Sequence, residues 1–328
     1  MAHSAISEHL PIPSVKQAIA IPSLLADYAT LFKLRVSFMV LITAAAGLYL
    51  GDLRSGLNPF HPSSFYALLG ISLVTAGSSV LNQALERRSD GNMARTANRP
   101  MVARFDTPAR IGLAHGLLLG FSTIIGGSFM LALKTNLLTG TLTLLTATAY
   151  VAIYTPLKRI TSLNTFIGAF PGALPPLIGW TAARGLIEWP AVALFAVLFV
   201  WQFPHFMAIG WLYRDDYRHG GIRLTATQQP ISWAARATVV QAFFYALLML
   251  PVALWPTLLG ITGLPYAVIA TTLSLGYLWF TFRFAAIVRD PAALSNRTHA
   301  RNLLKASVIY LPLLLAAMIL NAQGHIPF

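Results

Sequence analysis

The run Ser64-Phe-Tyr-Ala-Leu-Leu-Gly70-Ile-Ser-Leu-Val-Thr-Ala-Gly-Ser-Ser-Val80-Leu-Asn82-Gln-Ala-Leu-Glu86-Arg-Arg-Ser-Asp90-Gly decides how this chain is read. Its first part, 64–82, is apolar and long enough to cross a hydrocarbon core of roughly 30 Å as a helix. Its second part continues without a breaking residue and carries Asn82, Glu86 and Asp90. Positions four apart on a helix of about 3.6 residues per turn drift by only about 40°, so all three side chains leave one face at one membrane boundary. Gly91 is a natural stop for that helix.

Outward from this segment the same pattern repeats. Hydrophobic residues make up 56% of the 328 and charged residues 10%, against about 25% charged in a soluble domain. Apolar runs near 33–51, 64–82, 109–133, 137–155, 162–182, 189–213, 233–258, 264–288 and 303–321 predict an all-α polytopic membrane protein with nine transmembrane helices. Lys and Arg favour cytoplasmic loops. With the N terminus inside, 20 of the 23 basic residues fall on the inside segments, and only Arg54, Lys134 and Arg184 fall outside. That asymmetry predicts a cytoplasmic N terminus and an outside C terminus.

Residues 24–322 read as one integral domain, with a flexible tail at 1–23 and a short tail at 323–328. Residues 1–23 have neither the basic start and apolar core of a cleavable signal nor a mitochondrial presequence, which points to a bacterial cytoplasmic (inner) membrane. The net charge of +13 sits in strips at the membrane boundary, where anionic lipid explains it, so nucleic acid is excluded as a partner. The absence of cysteine excludes thiolate metal sites and thiol catalysis.

Only 10 residues are Asp or Glu, so Glu86 and Asp90 on one face with Asn82 are unlike a solvated surface. Side chains spaced about 6 Å along the axis suit Mg²⁺ or Mn²⁺, which take a carboxylate or two and leave other positions to water and phosphate. Arg95, Arg99, Lys158 and Arg159 supply the cations that grip phosphate oxygens. A second acidic pair, Asp215-Asp216, lies on the same side, and Asp216 is expected to join Asn82, Glu86 and Asp90 around one metal–diphosphate site. As a boundary carboxylate Asp90 is expected to be exposed and to contribute little to stability. The competing reading is a helix end whose acids pair with Arg87, Arg88 or Arg95. In the fifth span, Gly168-Ala-Phe-Pro171-Gly172-Ala-Leu-Pro175-Pro176-Leu-Ile-Gly179-Trp180 predicts a kinked helix. It serves either close packing through small residues or a widened interior for a bulky substrate.

These residues resemble the UbiA superfamily of intramembrane prenyltransferases, in its protohaem IX farnesyltransferase branch. The resemblance rests on Asn82-x3-Glu86-x3-Asp90-x2-Met93-x-Arg95-Thr96-x2-Arg99-Pro100, on Tyr154-x3-Lys158-Arg159-x-Thr161-x2-Asn164, and on Trp201-Gln-x-Pro204-His205-Phe206 followed by Asp216-Tyr217. It implies a bundle of nine helices around a central cavity. It also implies transfer of farnesyl from farnesyl diphosphate to a vinyl group of haem b, making haem O, with haem b as substrate and haem A synthase or terminal-oxidase assembly as the receiving partner. Asn82, Glu86, Asp90 and Asp216 then fall on the metal motifs, Arg95, Arg99, Lys158 and Arg159 on the diphosphate-binding positions, and Tyr154 on a catalytic one. Trp201 and His205 become candidates for contact with haem; the histidine could ligate iron, bond a propionate or bond a freed carbonyl. Lys33-Leu34-Arg35 stands where the branch reads Lys-Pro-Arg, and the segment Arg223–Pro230 departs from its pattern. A quinone-type aromatic acceptor is the alternative within the class, and a haem-binding transporter or membrane subunit the alternative outside it.

Overall fold

The computed structural model describes residues 24–58, 61–103 and 107–323. The expected tail at 1–23 and residues 324–328 of the expected tail at 323–328, with Lys16 and Arg104 of the charge pattern, lie outside the described residues. Among those described, nine helices are long and apolar enough to span a membrane. In chain order the elements are α1 (Leu24–Leu31), α2 (Leu34–Arg54), α3 (Pro62–Gly91), α4 (Leu113–Lys134), α5 (Leu137–Thr148), α6 (Thr155–Leu157), α7 (Asn164–Arg184), α8 (Trp189–Leu212), α9 (Arg214–His219), α10 (Ile231–Leu258), α11 (Leu264–Phe284) and α12 (Asn296–Leu320). A π-helical turn, Ala149–Tyr154, joins α5 to α6, so the fourth span is composite.

Helix α3 is the axis of the candidate site. Its 30 residues give a length of about 45 Å, well beyond the hydrocarbon core. The last turns therefore carry Asn82, Glu86 and Asp90 on the spanning helix itself, and the helix ends at Gly91 as its sequence predicts. Its start is set by Pro62 in the first turn and by the His61 ring, which accepts a hydrogen bond from the Ser63 amide.

Helix α7 stays continuous through Pro171, Pro175 and Pro176, and both expectations for it are met on different faces. Against α2 its backbone is in direct contact: a Cβ on Gly47 would strike the Pro176 carbonyl, and a Cβ on Gly179 the Ala44 carbonyl. Its other face presents Gly168, Pro171, Gly172 and Pro175 to a cavity also walled by α2, α3, α5 and α8. The densest packing lies on the far side of α8. There Trp180, Leu194, Val197, Met249, Tyr266, Phe284 and Leu314 are buried together. Two buried tyrosine hydroxyls there are satisfied, Tyr266 donating to the Ala253 carbonyl at 2.8 Å and Tyr277 to the Trp201 carbonyl at 3.0 Å.

A long apolar wall needs its hydroxyls silenced as well. Ser78, Thr143 and Thr146 line the cavity, yet each donates to a carbonyl four residues back, Val74, Thr139 and Leu142. What they show the cavity is methyl and methylene. Because the α2–α7 contact is backbone on backbone, Gly47→Ala and Gly179→Ala should each lower stability by about 1–3 kcal/mol, with the double variant less than additive. Thermal unfolding of the detergent-solubilised protein reads this.

Candidate active site

The cavity has a volume of about 490 Å³. Apolar residues Val36, Val40, Ile71, Val74, Ala147 and Ile178 line part of it, and Glu86, Asp90, Arg95, Arg99, Tyr154 and Lys158 line its mouth. Each metal-type side chain on α3 is met by one basic group from elsewhere. Lys158 Nζ donates to Glu86 Oε1 at 2.8 Å, Arg99 to Asp90 Oδ2 at 2.6 Å, and Lys33 Nζ to Asn82 Oδ1 at 2.6 Å. Arg159 donates to Ser89 Oγ at 2.9 Å from the edge of the same face. The acids are therefore paired, but with residues distant in sequence rather than with Arg87, Arg88 or Arg95.

The expectation of an exposed Asp90 is corrected: the residue is 1% exposed. The 92–103 segment brings Arg99 onto it and the fourth-span end brings Lys158 onto neighbouring Glu86, and neither is visible in the local sequence of α3. Its Oδ1 is buried with no hydrogen-bond partner. A buried carboxylate oxygen without a partner, beside a cation-rich cavity, fits a divalent ion. Asn82 is fully buried behind the other two, held by Lys33 and by donation to Thr155 Oγ1 at 3.1 Å.

Tyr154 reaches the cavity because the π turn advances the chain beyond an α-helical register. Lys158 Nζ lies 4.5 Å from its ring centroid, and the ring fills space left by Gly168, where any Cβ would collide with it. Tyr150, one turn back, also lines the cavity. Arg95 is placed differently from expectation. Its guanidinium lies over the rings of Tyr213 and Tyr217, at 5.3 and 5.5 Å, so it latches the 213–230 connection to the 92–112 connection above the mouth.

Other expected positions stand further off. Asp216 is half-buried and does not line the cavity, whereas its neighbour Tyr217 does. No group of three His, Asp or Glu side chains is gathered among the described residues. Trp201 and His205 turn away from the cavity. Their rings stack at 5.0 Å, and they bond Ser307 of α12 through its carbonyl and hydroxyl, at 2.9 and 2.7 Å. Phe206 and Met207 are the residues of that segment that face inward. Sequence reading missed Lys33, Tyr150 and Tyr217. Lys33 looked like boundary charge, and the π turn that exposes Tyr150 has no sequence signal.

A nine-helix bundle with a cation-rich acid face over an apolar chamber defines an intramembrane prenyltransferase, and the UbiA prenyltransferase family model matches residues 40–304. The chain belongs to that family. Among curated relatives, a protoheme IX farnesyltransferase of Koribacter versatilis (strain Ellin345) is 44% identical over 94% of this chain and 98% of its own length. Another of that name, from Solibacter usitatus (strain Ellin6076), is 35% identical over 91% and 99%. Among solved structures, a digeranylgeranylglyceryl phosphate synthase matches with a TM-score of 0.70 at 17% identity, covering 90% of this chain and 98% of its own. A UbiA homologue from Archaeoglobus fulgidus, bound to DMAPP and Mg²⁺, matches with a TM-score of 0.58 at 13% identity, covering 89% and 99%.

Burial changes what an Asp90 substitution does. Asp90→Asn leaves the Arg99 cation facing a neutral amide beside Lys33 and Lys158, so the ligand-free protein should lose about 1–3 kcal/mol. Thermal unfolding without ligand measures it, and an unchanged midpoint would return Asp90 to the exposed class.

Proposed function

We propose that the protein transfers the farnesyl group of farnesyl diphosphate to a vinyl group of haem b, giving haem O. The observation that carries this reading is the stacking of an acid-and-cation mouth on an apolar chamber able to hold a prenyl tail. Support for the acceptor comes from the protoheme IX farnesyltransferase relatives, which align with nine-tenths of the chain.

Glu86 and Asp90 would hold a magnesium or manganese ion, with Asn82 behind them and Asp216 as the fourth member. When bound, such an ion neutralises charge on the departing diphosphate. The rest is the work of side chains. Arg99, Lys158 and Arg159, now on Asp90, Glu86 and Ser89, exchange those partners for phosphate oxygens, which arginine grips in pairs. As the C1–O bond breaks, its electron pair leaves with the diphosphate. The faces of Tyr150 and Tyr154 stabilise the allylic cation, and the apolar wall keeps water away.

The vinyl π pair then forms the new C–C bond. The cation left on the haem side takes up water, which releases a proton, giving the hydroxyethylfarnesyl chain. Trp201 and His205 act on the acceptor at one remove: fixed on α12, they hold Phe206 and Met207 against the chamber. The charge asymmetry supports a bacterial inner membrane with the mouth and N terminus cytoplasmic and the C terminus outside. Haem A synthase or terminal-oxidase assembly is the proposed recipient of the product.

Purified protein incubated with haem b, farnesyl diphosphate and Mg²⁺ should yield a farnesylated, hydrated haem by mass spectrometry. Prenylation of an aromatic quinone precursor with none of haem would overturn the acceptor. Arg99→Lys should raise the KM for farnesyl diphosphate about tenfold, the loss of one charged hydrogen bond. The exposed Arg289→Lys should leave it within about twofold; equal effects would remove Arg99 from the site.

A further inference from the structure

Lys33 is a cation at the mouth that no carboxylate pairs. Arg99 and Lys158 each face a carboxylate, but the one polar partner of Lys33 is the neutral carboxamide of Asn82 at 2.6 Å. Its side chain lines the cavity. A positive group in such a place is completed by an anion.

The backbone points the same way. Lys33 has φ 49° and ψ 50°, and it is the one non-glycine residue with positive φ among those described. A turn alone would be met more easily by glycine or asparagine. The strained residue is instead held by an element built around it. Helix α1 is too short to span, and its end is fixed when Gln83 of α3 donates to the Thr30 and Leu31 carbonyls at 3.2 and 2.7 Å. Arg110 grips both oxygens of buried Asp27 at 2.9–3.0 Å. Tyr28 bonds His115 at 2.9 Å, and Leu31 is fully buried with Val80, Ala84, Met101 and Ile111. None of these contacts reaches the cavity; Lys33 does.

We propose that Lys33 is a diphosphate-binding cation of the active site and that α1 with its Asp27–Arg110 clamp is the device that positions it. This rests on the diphosphate reading of the site, and both can be tested apart from the acceptor. The probe is inorganic pyrophosphate with Mg²⁺, read as a shift in the unfolding midpoint of the full-length protein, alongside the KM for farnesyl diphosphate.

Lys33→Gly separates structure from binding, since it relieves the left-handed backbone while removing the ammonium group, its stem and the bond to Asn82. Its ligand-free midpoint should hold or rise, its pyrophosphate shift should largely vanish, and KM should rise about tenfold, the equivalent of one lost charged contact. Lys33→Arg should recover part of the shift. Arg110→Gln should raise KM severalfold in the parental background and add nothing to KM in Lys33→Gly, because the clamp acts through Lys33. A Lys33→Gly protein with a pyrophosphate shift and KM within about twofold of the parent overturns the proposal while leaving the site reading intact. No shift in the parent overturns both, and an additive Arg110 effect overturns the positioning role of α1.

Discussion

The end of this molecule that carries Glu86 and Asp90 is organised by one constraint: a carboxylate taken out of water must meet a cation. Glu86 and Asp90 sit on the last turns of a spanning helix, almost fully buried. They are therefore met by Lys158 from the end of the fourth span and Arg99 from the 92–112 connection. Two segments far apart in sequence are tied to α3 by these contacts, and a third, the start of α2, arrives through Lys33 on Asn82. The mouth of the cavity is the space these partners leave between them.

A second constraint comes from the membrane interior, where every backbone and hydroxyl group needs a partner within the protein. The bundle meets it with few exceptions, the Ser128 and Thr238 hydroxyls being buried without a partner, and still opens a chamber. Prolines in α7 and the π turn in the fourth span distort the helices only where they border the cavity or lie against a close neighbour. Glycines at 47 and 179 bring α2 and α7 into backbone contact on one side. Glycines at 168 and 172 leave room for the Tyr154 ring and the Gln202 side chain on the other. Irregularity and chamber are one feature, since a row of regular helices would fill the space with side chains.

The pairing also defines a resting state. Arg99 and Lys158 are paired with acids at the mouth, whereas Lys33 meets a carboxamide and one oxygen of Asp90 has no partner. Such a face is matched to a ligand that brings an anion and a divalent cation together, because each displaced partner then finds an opposite charge. Arg95 lines the mouth and also lies over Tyr213 and Tyr217, where it fastens two connections.

The sequence by itself determined the nine spans, the all-α class and the face bearing Asn82, Glu86 and Asp90. These follow from length, hydropathy and helical period, which act locally. The stop at Gly91 was legible for the same reason. Tertiary structure alone decided which cation meets which acid, because Lys158 and Arg99 look no different from boundary arginines until the chain folds. It decided that Asp90 is buried, that Trp201 and His205 face α12, and that Asp216 stays off the cavity while Tyr217 lines it. It also decided the place of Lys33: a left-handed turn and a clamp from Arg110, 77 positions further along the chain, have no signature in neighbouring residues. Period fixes which side chains share a face, but only packing fixes what that face meets.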